Sequence, residues 1–132
     1  INGNKVLQKE IDSYYNDMLK FFQIFGEKYN IIVDRFFMSE YVYSFLRGYT
    51  SYGRYIEIEK KIKKLKHLYI FCIDDLQNIR KRLNNDYINE YQVLEVYENF
   101  RFYNDRSILN LKEYNFNKNK IEEVLQWVLN FS

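Results

Sequence analysis

The residues of this sequence best suited to hold a ligand are an acid and a base at positions 34 and 35. An apolar run, Ile31-Ile32-Val33, stops abruptly at Asp34 and Arg35. A planar guanidinium can grip a phosphate through two parallel hydrogen bonds and stays charged at any physiological pH. A second cationic group, Arg80-Lys81-Arg82, follows a second acidic pair, Asp74-Asp75. Arg35 suits chemistry in which the protein mainly orients phosphates and neutralises their charge. Other chemistries lack their parts. His67 is the only histidine and Cys72 the only cysteine, too few for Ser–His or Cys–His catalysis or for a zinc site.

The elements that would position these groups follow from the apolar pattern. Ile11, Tyr14, Tyr15, Met18, Phe22 and Phe25 recur at spacings of three and four, which predicts a helix over most of residues 1–28, ended by Gly26. Ile31–Val33 then reads as a buried strand of a parallel sheet, and ligands of open α/β sheets sit beyond the carboxyl ends of such strands. Ser39 to Arg47 reads as a helix with Ser39 as N-cap and Gly48 as its stop. After a loop at 48–53, Tyr55, Ile58, Ile62 and Leu65 mark another helix. Leu68–Ile73 reads as a second strand, ending at Asp74-Asp75, either of which can cap a helix carrying Leu76, Ile79 and Leu83. Asn84-Asn85-Asp86 breaks that helix, and Tyr87, Tyr91, Leu94, Tyr97 and Phe100 make a further stripe. Ser107–Leu111 is the third expected strand, and a last helix runs over about 118–131. Helices alternating with short apolar strands predict an α/β layered fold with a mainly parallel sheet.

The totals narrow the field. A chain of 132 residues is read as a single domain, 1–132, with room for a core. Its 20 Lys and Arg against 18 Asp and Glu argue for no nucleic-acid or membrane partner. The run Lys60-Lys61-Ile62-Lys63-Lys64-Leu65-Lys66 interleaves apolar residues at helical spacing, as the charged face of a helix does. The composition, with 14 Tyr, 11 Phe and no Pro, resembles that of proteins from AT-rich genomes. There is no run of 18 apolar residues and no secretory signal, and the lone Cys72 cannot form an intramolecular disulfide, so the expected setting is the cytoplasm. The sequence begins at Ile1 without Met, as a fragment would.

The spaced set Asp34-Arg35-Phe36, Ser39, Tyr43-Ser44 and Arg47 resembles the thymidylate kinase family of P-loop nucleoside-monophosphate kinases. Phage-type deoxynucleotide kinases are similar in their Asp-Arg-Phe-x-x-Ser-Glu-x-Val-Tyr run, which stands here from Asp34 to Tyr43. The order of the remaining elements also looks like the kinase fold after its first unit, and Leu68 to Leu83 is similar to the family's strand leading into the lid.

The resemblance implies roles. Arg35, Asp34, Arg80 and Arg82 would be the catalytic group, with the lid arginines facing phosphates; two residues apart on one helix, Arg80 and Arg82 cannot both face one ligand. Asp34 would orient Mg²⁺ through water or accept a hydrogen bond near the acceptor phosphate. Arg35, Ser39, Glu40, Tyr43 and Arg47 would line the acceptor nucleotide, with Tyr43 against the sugar, where its ring leaves no room for a 2′-hydroxyl. Glu40 departs from the Asn many thymidylate kinases use to read the base, so base identity does not carry over.

The family's Gly-x-x-x-x-Gly-Lys-Ser/Thr loop, which cradles the triphosphate, does not occur between Ile1 and Ser132. Either it lies upstream of Ile1 or the domain has lost it. The family implies Mg²⁺ and ATP, but this chain has no site for the triphosphate and alone is expected to be inactive. The resulting expectation is the acceptor half of a deoxynucleoside monophosphate kinase, its partner a deoxynucleoside monophosphate, with homodimerisation open. The alternative is a catalytically inactive kinase-fold module for binding or assembly. A deoxynucleoside kinase is a third reading, but that family usually has Glu-Arg-Ser where this chain has Asp34-Arg35-Phe36.

Overall fold

The apolar spacing of the first 25 residues is helical, and helix α1 spans Asn2–Phe25 in the computed structural model, which describes residues 2–48, 51–82 and 89–131. Its inward face carries Gln8, Tyr15 and Leu19, with Ile11, Met18 and Phe22 half-buried, whereas Tyr14 and Phe25 lie on the exposed side. Gly26 follows directly, donating its N–H to Phe22 O at 2.8 Å. A Cβ there would stand 2.5 Å from that same oxygen, so only glycine closes the helix in this way.

The described residues form an α/β fold of six helices and a small parallel sheet of two strands flanked by helices. The chain falls into two compact units, Ile1–Lys66 and His67–Ser132. The first holds α1, α2 (Phe37–Leu46) and α3 (Tyr52–Ile62), with α3 packed on both others. Its core is aromatic: Phe37 stacks on Tyr55 at 5.1 Å between ring centroids, and Tyr41 meets the same ring edge-on at 5.9 Å. Phe37, Met38, Tyr41, Val42 and Tyr55 are almost wholly buried. The phenols of Tyr41 and Tyr55 each find an acceptor, as a desolvated hydroxyl must: Tyr41 donates to Asp12 at 3.2 Å and Tyr55 to the buried Glu59 at 2.8 Å.

Ile31–Val33, expected as a buried strand, is neither buried nor a strand. It runs as an exposed loop, with Ile32 96% accessible. Three β-branched residues favour an extended backbone, but a strand needs a neighbour for its amides, and the described part of this unit contains no other strand. The helix after it begins at Phe37, two residues before Ser39, because burial of Phe37 and Met38 draws both into the first turn. Ser39 is therefore inside the helix and not its N-cap. Gly48, at φ +72°, ends this segment in the left-handed conformation expected of a helix stop. The loop position Thr50, and Leu83 and Tyr87 with the break at 84–86, lie outside the described residues.

In the second unit, β1 (Tyr69–Ile73) pairs in parallel with β2 (Leu111–Asn115), in register from Tyr69 opposite Leu111 to Ile73 opposite Asn115. The later strand was expected at Ser107–Leu111 and starts four residues further on. Ser107–Asn110 is held in a loop instead, with Asn110 N–H donated to His67 Nε2 at 2.9 Å and Asn110 Nδ2 to His67 O at 3.2 Å. The crossover contains α4 (Leu76–Arg82) and α5 (Glu90–Asp105). A full capping box opens α5: Asn89 Oδ1 accepts from Gln92 N and Gln92 Oε1 from Asn89 N, both at 2.9 Å. Phe100 of α5 lies 6.2 Å from the Phe71 ring of β1, and Arg101 reaches Glu113 of β2 at 2.8 Å. Helix α6 (Ile121–Phe131) completes the unit. Cys72, inside the apolar run, is exposed.

Burial separates two substitutions sharply. Phe37→Ala should cost about 3–5 kcal/mol in urea-unfolding free energy, as truncations of buried aromatics do. Ile32→Ala should stay within about 0.5 kcal/mol; a loss of about 2 kcal/mol or more would place Ile32 in a core after all.

Candidate functional site

The residues expected at the acceptor site gather along α2 and the bend before it. Asp34 and Arg35 form that bend and are both exposed. Arg35 has φ +53°, the only non-glycine residue with a positive φ among those described. The left-handed conformation costs an L-residue about 1–2 kcal/mol, and such backbone strain concentrates where side chains must be aimed. Neither the Asp34 carboxylate nor the Arg35 guanidinium has a hydrogen bond or ion pair among the described residues. On α2, Glu40 and Tyr43 share one helix face, with Ser39 one turn before Tyr43, and Arg47, one residue past the helix end, donates its N–H to Tyr43 O at 3.2 Å and so continues that face.

Their surroundings differ. Ser39 and Glu40 are half-buried, and Tyr43 and Arg47 exposed. Glu40, in the first turn where a negative charge suits the helix dipole, accepts from Ser44 Oγ at 2.8 Å. Burial, with the Glu40 and Tyr14 charges behind it, pushes the Tyr15 phenol well above its ordinary range. Tyr41 is pushed up in the same direction, first by burial and then by Asp12, which also accepts from Arg54. These phenols are neutral hydrogen-bond donors at any physiological pH.

Arg80 and Arg82 belong to the second unit, whereas Asp34 and Arg35 belong to the first. Arg80 is exposed. Arg82, two residues on, is turned to Asp74 and forms an ion pair with its Oδ2. Asp74 itself is nearly buried at the carboxyl end of β1. Its Oδ1 accepts from Asp75 N at 2.7 Å, Asn78 Nδ2 at 3.0 Å and Asn117 Nδ2 at 2.8 Å. The Asn78 amide, helped by Asn117, the Asp75 N–H and Arg82, holds the Asp74 carboxyl below its usual value against the opposing effect of burial. Among the described residues no group of three His, Cys, Asp or Glu is placed to hold a metal ion, and no helix is long and apolar enough to cross a membrane.

Comparison with protein-family models, with curated proteins and with solved structures returns no match.

Two features went unread in the sequence. The positive φ of Arg35 has no signal, because arginine is not a residue that favours that region. The Asp74 junction had half of one: Asp74 and Asn78 stand four apart at a helix start, but Asn117 comes from 43 positions away.

Two outcomes follow from this geometry. Arg35→Gly removes the backbone strain and should raise unfolding stability by up to about 1 kcal/mol; a loss of similar size would show that the side chain is structural. The folded-state pKa of Asp74 is depressed, so its contribution is complete above the unfolded value of about 3.9 and disappears as pH falls through the lower folded value. The stability gap between wild type and Asp74→Asn should therefore be flat from neutral pH to about 5 and shrink below about 4 in acid titrations of unfolding.

Proposed function

We propose that this chain is the acceptor-site half of a thymidylate kinase-like phosphotransferase, binding a deoxynucleoside monophosphate through the segment Asp34–Arg47. The observation that carries this reading is Arg35: an exposed guanidinium without a partner among the described residues, on a left-handed backbone, directly ahead of the helix face bearing Glu40, Tyr43 and Arg47. A free guanidinium on a fixed bend can take a phosphate bidentately with little reorganisation. The α/β architecture with a parallel strand pair agrees with a P-loop-kinase-like layered fold. The exposed loop at Ile31–Val33 does not, since the family delivers its Asp-Arg pair from a strand.

Within the site Arg35 grips the acceptor phosphate, Arg47 adds a second cation just past the end of α2, and the Tyr43 ring lies against the deoxyribose. Asp34 accepts a hydrogen bond near the phosphate. The sequence between Ile1 and Ser132 lacks the glycine-rich Lys-Ser/Thr loop that would hold ATP, and among the described residues no group of three His, Cys, Asp or Glu is placed to hold a metal ion. No transfer step is therefore assigned to this chain.

A second reading is a kinase-fold module without catalysis, for binding or assembly. It is favoured by apolar residues left in water at the end of α1 and beyond, among them Ile24, Tyr29 and Ile32, and by Ile121, Leu125 and Leu129 of α6.

Titration of the chain with dTMP, dGMP, AMP and ATP, by calorimetry or NMR, separates the two. Two charge-assisted contacts of about 1.5–3 kcal/mol each, before entropic costs, predict a millimolar to high-micromolar affinity for a deoxynucleotide. Arg35→Ala should abolish it, and a coupled ADP-release assay should show no turnover of ATP. Absence of binding by every nucleotide favours the module, and steady turnover contradicts the acceptor-half assignment.

A further inference from the structure

We infer that the second unit carries a small-molecule site at the amino ends of its two strands, shaped for a planar aromatic monocarboxylate whose ring lies against Trp127 and whose carboxylate takes Lys112. The inference goes beyond the acceptor-site reading of α2 and does not rest on it.

The site is a cleft of about 280 Å³ lined by Leu68, Asn110, Lys112, Trp127, Asn130 and Phe131. Leu68 and Asn110 stand directly before β1 and β2. The cleft is therefore at the end of the strands opposite Asp74, away from the carboxyl ends where α/β sheets usually hold their ligands. Trp127 and Phe131 are four apart on α6 and share a face. With Leu68, all three half-buried, they form an apolar wall. Asn110 and Lys112 are two apart along the chain and project to the same side of the strand. Asn110 is fixed there by its two hydrogen bonds to His67.

Three polar groups of these residues are unspent. The Trp127 indole N–H, the Lys112 ammonium and the Asn130 amide have no hydrogen bond or ion pair among the described residues. All three can donate, and none of the six lining residues is an acid. Glu113, next to Lys112, projects to the opposite side of the strand, where Arg101 and Asn104 hold it. One cation, two neutral donors and no anion match a single negative charge shared by two oxygens. A phosphate dianion would leave half its charge unmet. The indole and phenyl rings favour a flat aromatic body over an alkyl chain, through offset or edge-on ring packing. The volume is at the lower end for ligand pockets, which suits a molecule of single-ring size.

Trp127 is the only tryptophan of the chain, so its indole N–H gives one resolved resonance at the cleft. The test is an NMR titration of the labelled full chain with cinnamate, following that resonance. Cinnamamide serves as the uncharged analogue of the same shape, and hexanoate as a carboxylate without a ring. Cinnamate should shift the resonance saturably and bind at least about fivefold more tightly than either comparator, the scale of one charge-assisted contact in an open cleft. Lys112→Gln, a change at an exposed side chain, should bring cinnamate down to the affinity of cinnamamide, and Lys112→Arg should keep the preference. An indole resonance that does not move with cinnamate overturns the proposal. So does equal binding of cinnamate and either comparator, or a preference for the acid that survives Lys112→Gln. If Lys112→Gln does not fold, the wild type decides: the preference for cinnamate over cinnamamide should shrink as salt is raised, and a salt-independent preference overturns the proposal. None of these outcomes touches the acceptor reading, which is tested at Arg35 with a deoxynucleotide.

Discussion

Parallel strands cannot be closed by a hairpin; the chain between them has to return along the sheet. That constraint shapes the whole second unit. Between Ile73 and Leu111 the chain is taken up by the crossover containing α4 and α5, and Phe100 and Arg101 of α5 reach back to Phe71 and Glu113 of the strands. Parallel register also brings both carboxyl ends to the same edge, with Ile73 opposite Asn115. Asp74 and Asn117, far apart in sequence, meet there for that reason alone, and the carboxylate becomes the point where β1, α4 and the segment after β2 are tied together. The open end of a parallel pair is also where α/β proteins hold their ligands, and here it already contains an anion and a cation matched to one another.

The first unit is organised by a different physical demand, the burial of large rings that carry hydroxyls. Phe37, Tyr41 and Tyr55 fill the space between helices, and two of the three bring a phenol that must be satisfied inside. Asp12 and Glu59 answer it from α1 and α3. A buried carboxylate with a hydrogen-bonded phenol is tolerated where an isolated one is not. These contacts fix the rotation of α2, which leaves Tyr43 and Arg47 on the outside and puts the Arg35 bend at its start.

Much of the architecture was legible in the sequence, and the residues show why. Tyr55, Ile58 and Ile62 announced α3 because an apolar stripe at helical spacing has one good solution, and all three are buried. Tyr69–Ile73 was legible as a strand from its continuous apolar and aromatic character. Its partner was misplaced because Leu111–Asn115 contains Lys112 and Glu113, and strand pairing is decided by the neighbour and not by local composition. Ile31–Val33 failed for the converse reason: its propensity is high, but no strand of its unit, among those described, lies beside it. The grouping of Ser39, Glu40 and Tyr43 on α2, with Arg47 just past its end, needed only helical periodicity, whereas the ion pair that engages Arg82 depends on a side-chain direction that spacing does not encode.

The claim on which the functional account turns is that the face of α2 and the bend before it form a deoxynucleotide site. An amide chemical-shift map of the labelled chain with dTMP, supplemented by intermolecular NOEs from the 2′ protons of the sugar, tests it directly. The account predicts perturbations clustered at Asp34, Arg35, Ser39, Tyr43 and Arg47, with NOEs from the sugar to the Tyr43 ring. Perturbations confined to the exposed apolar residues of α6, or no perturbation at saturating dTMP, would contradict it.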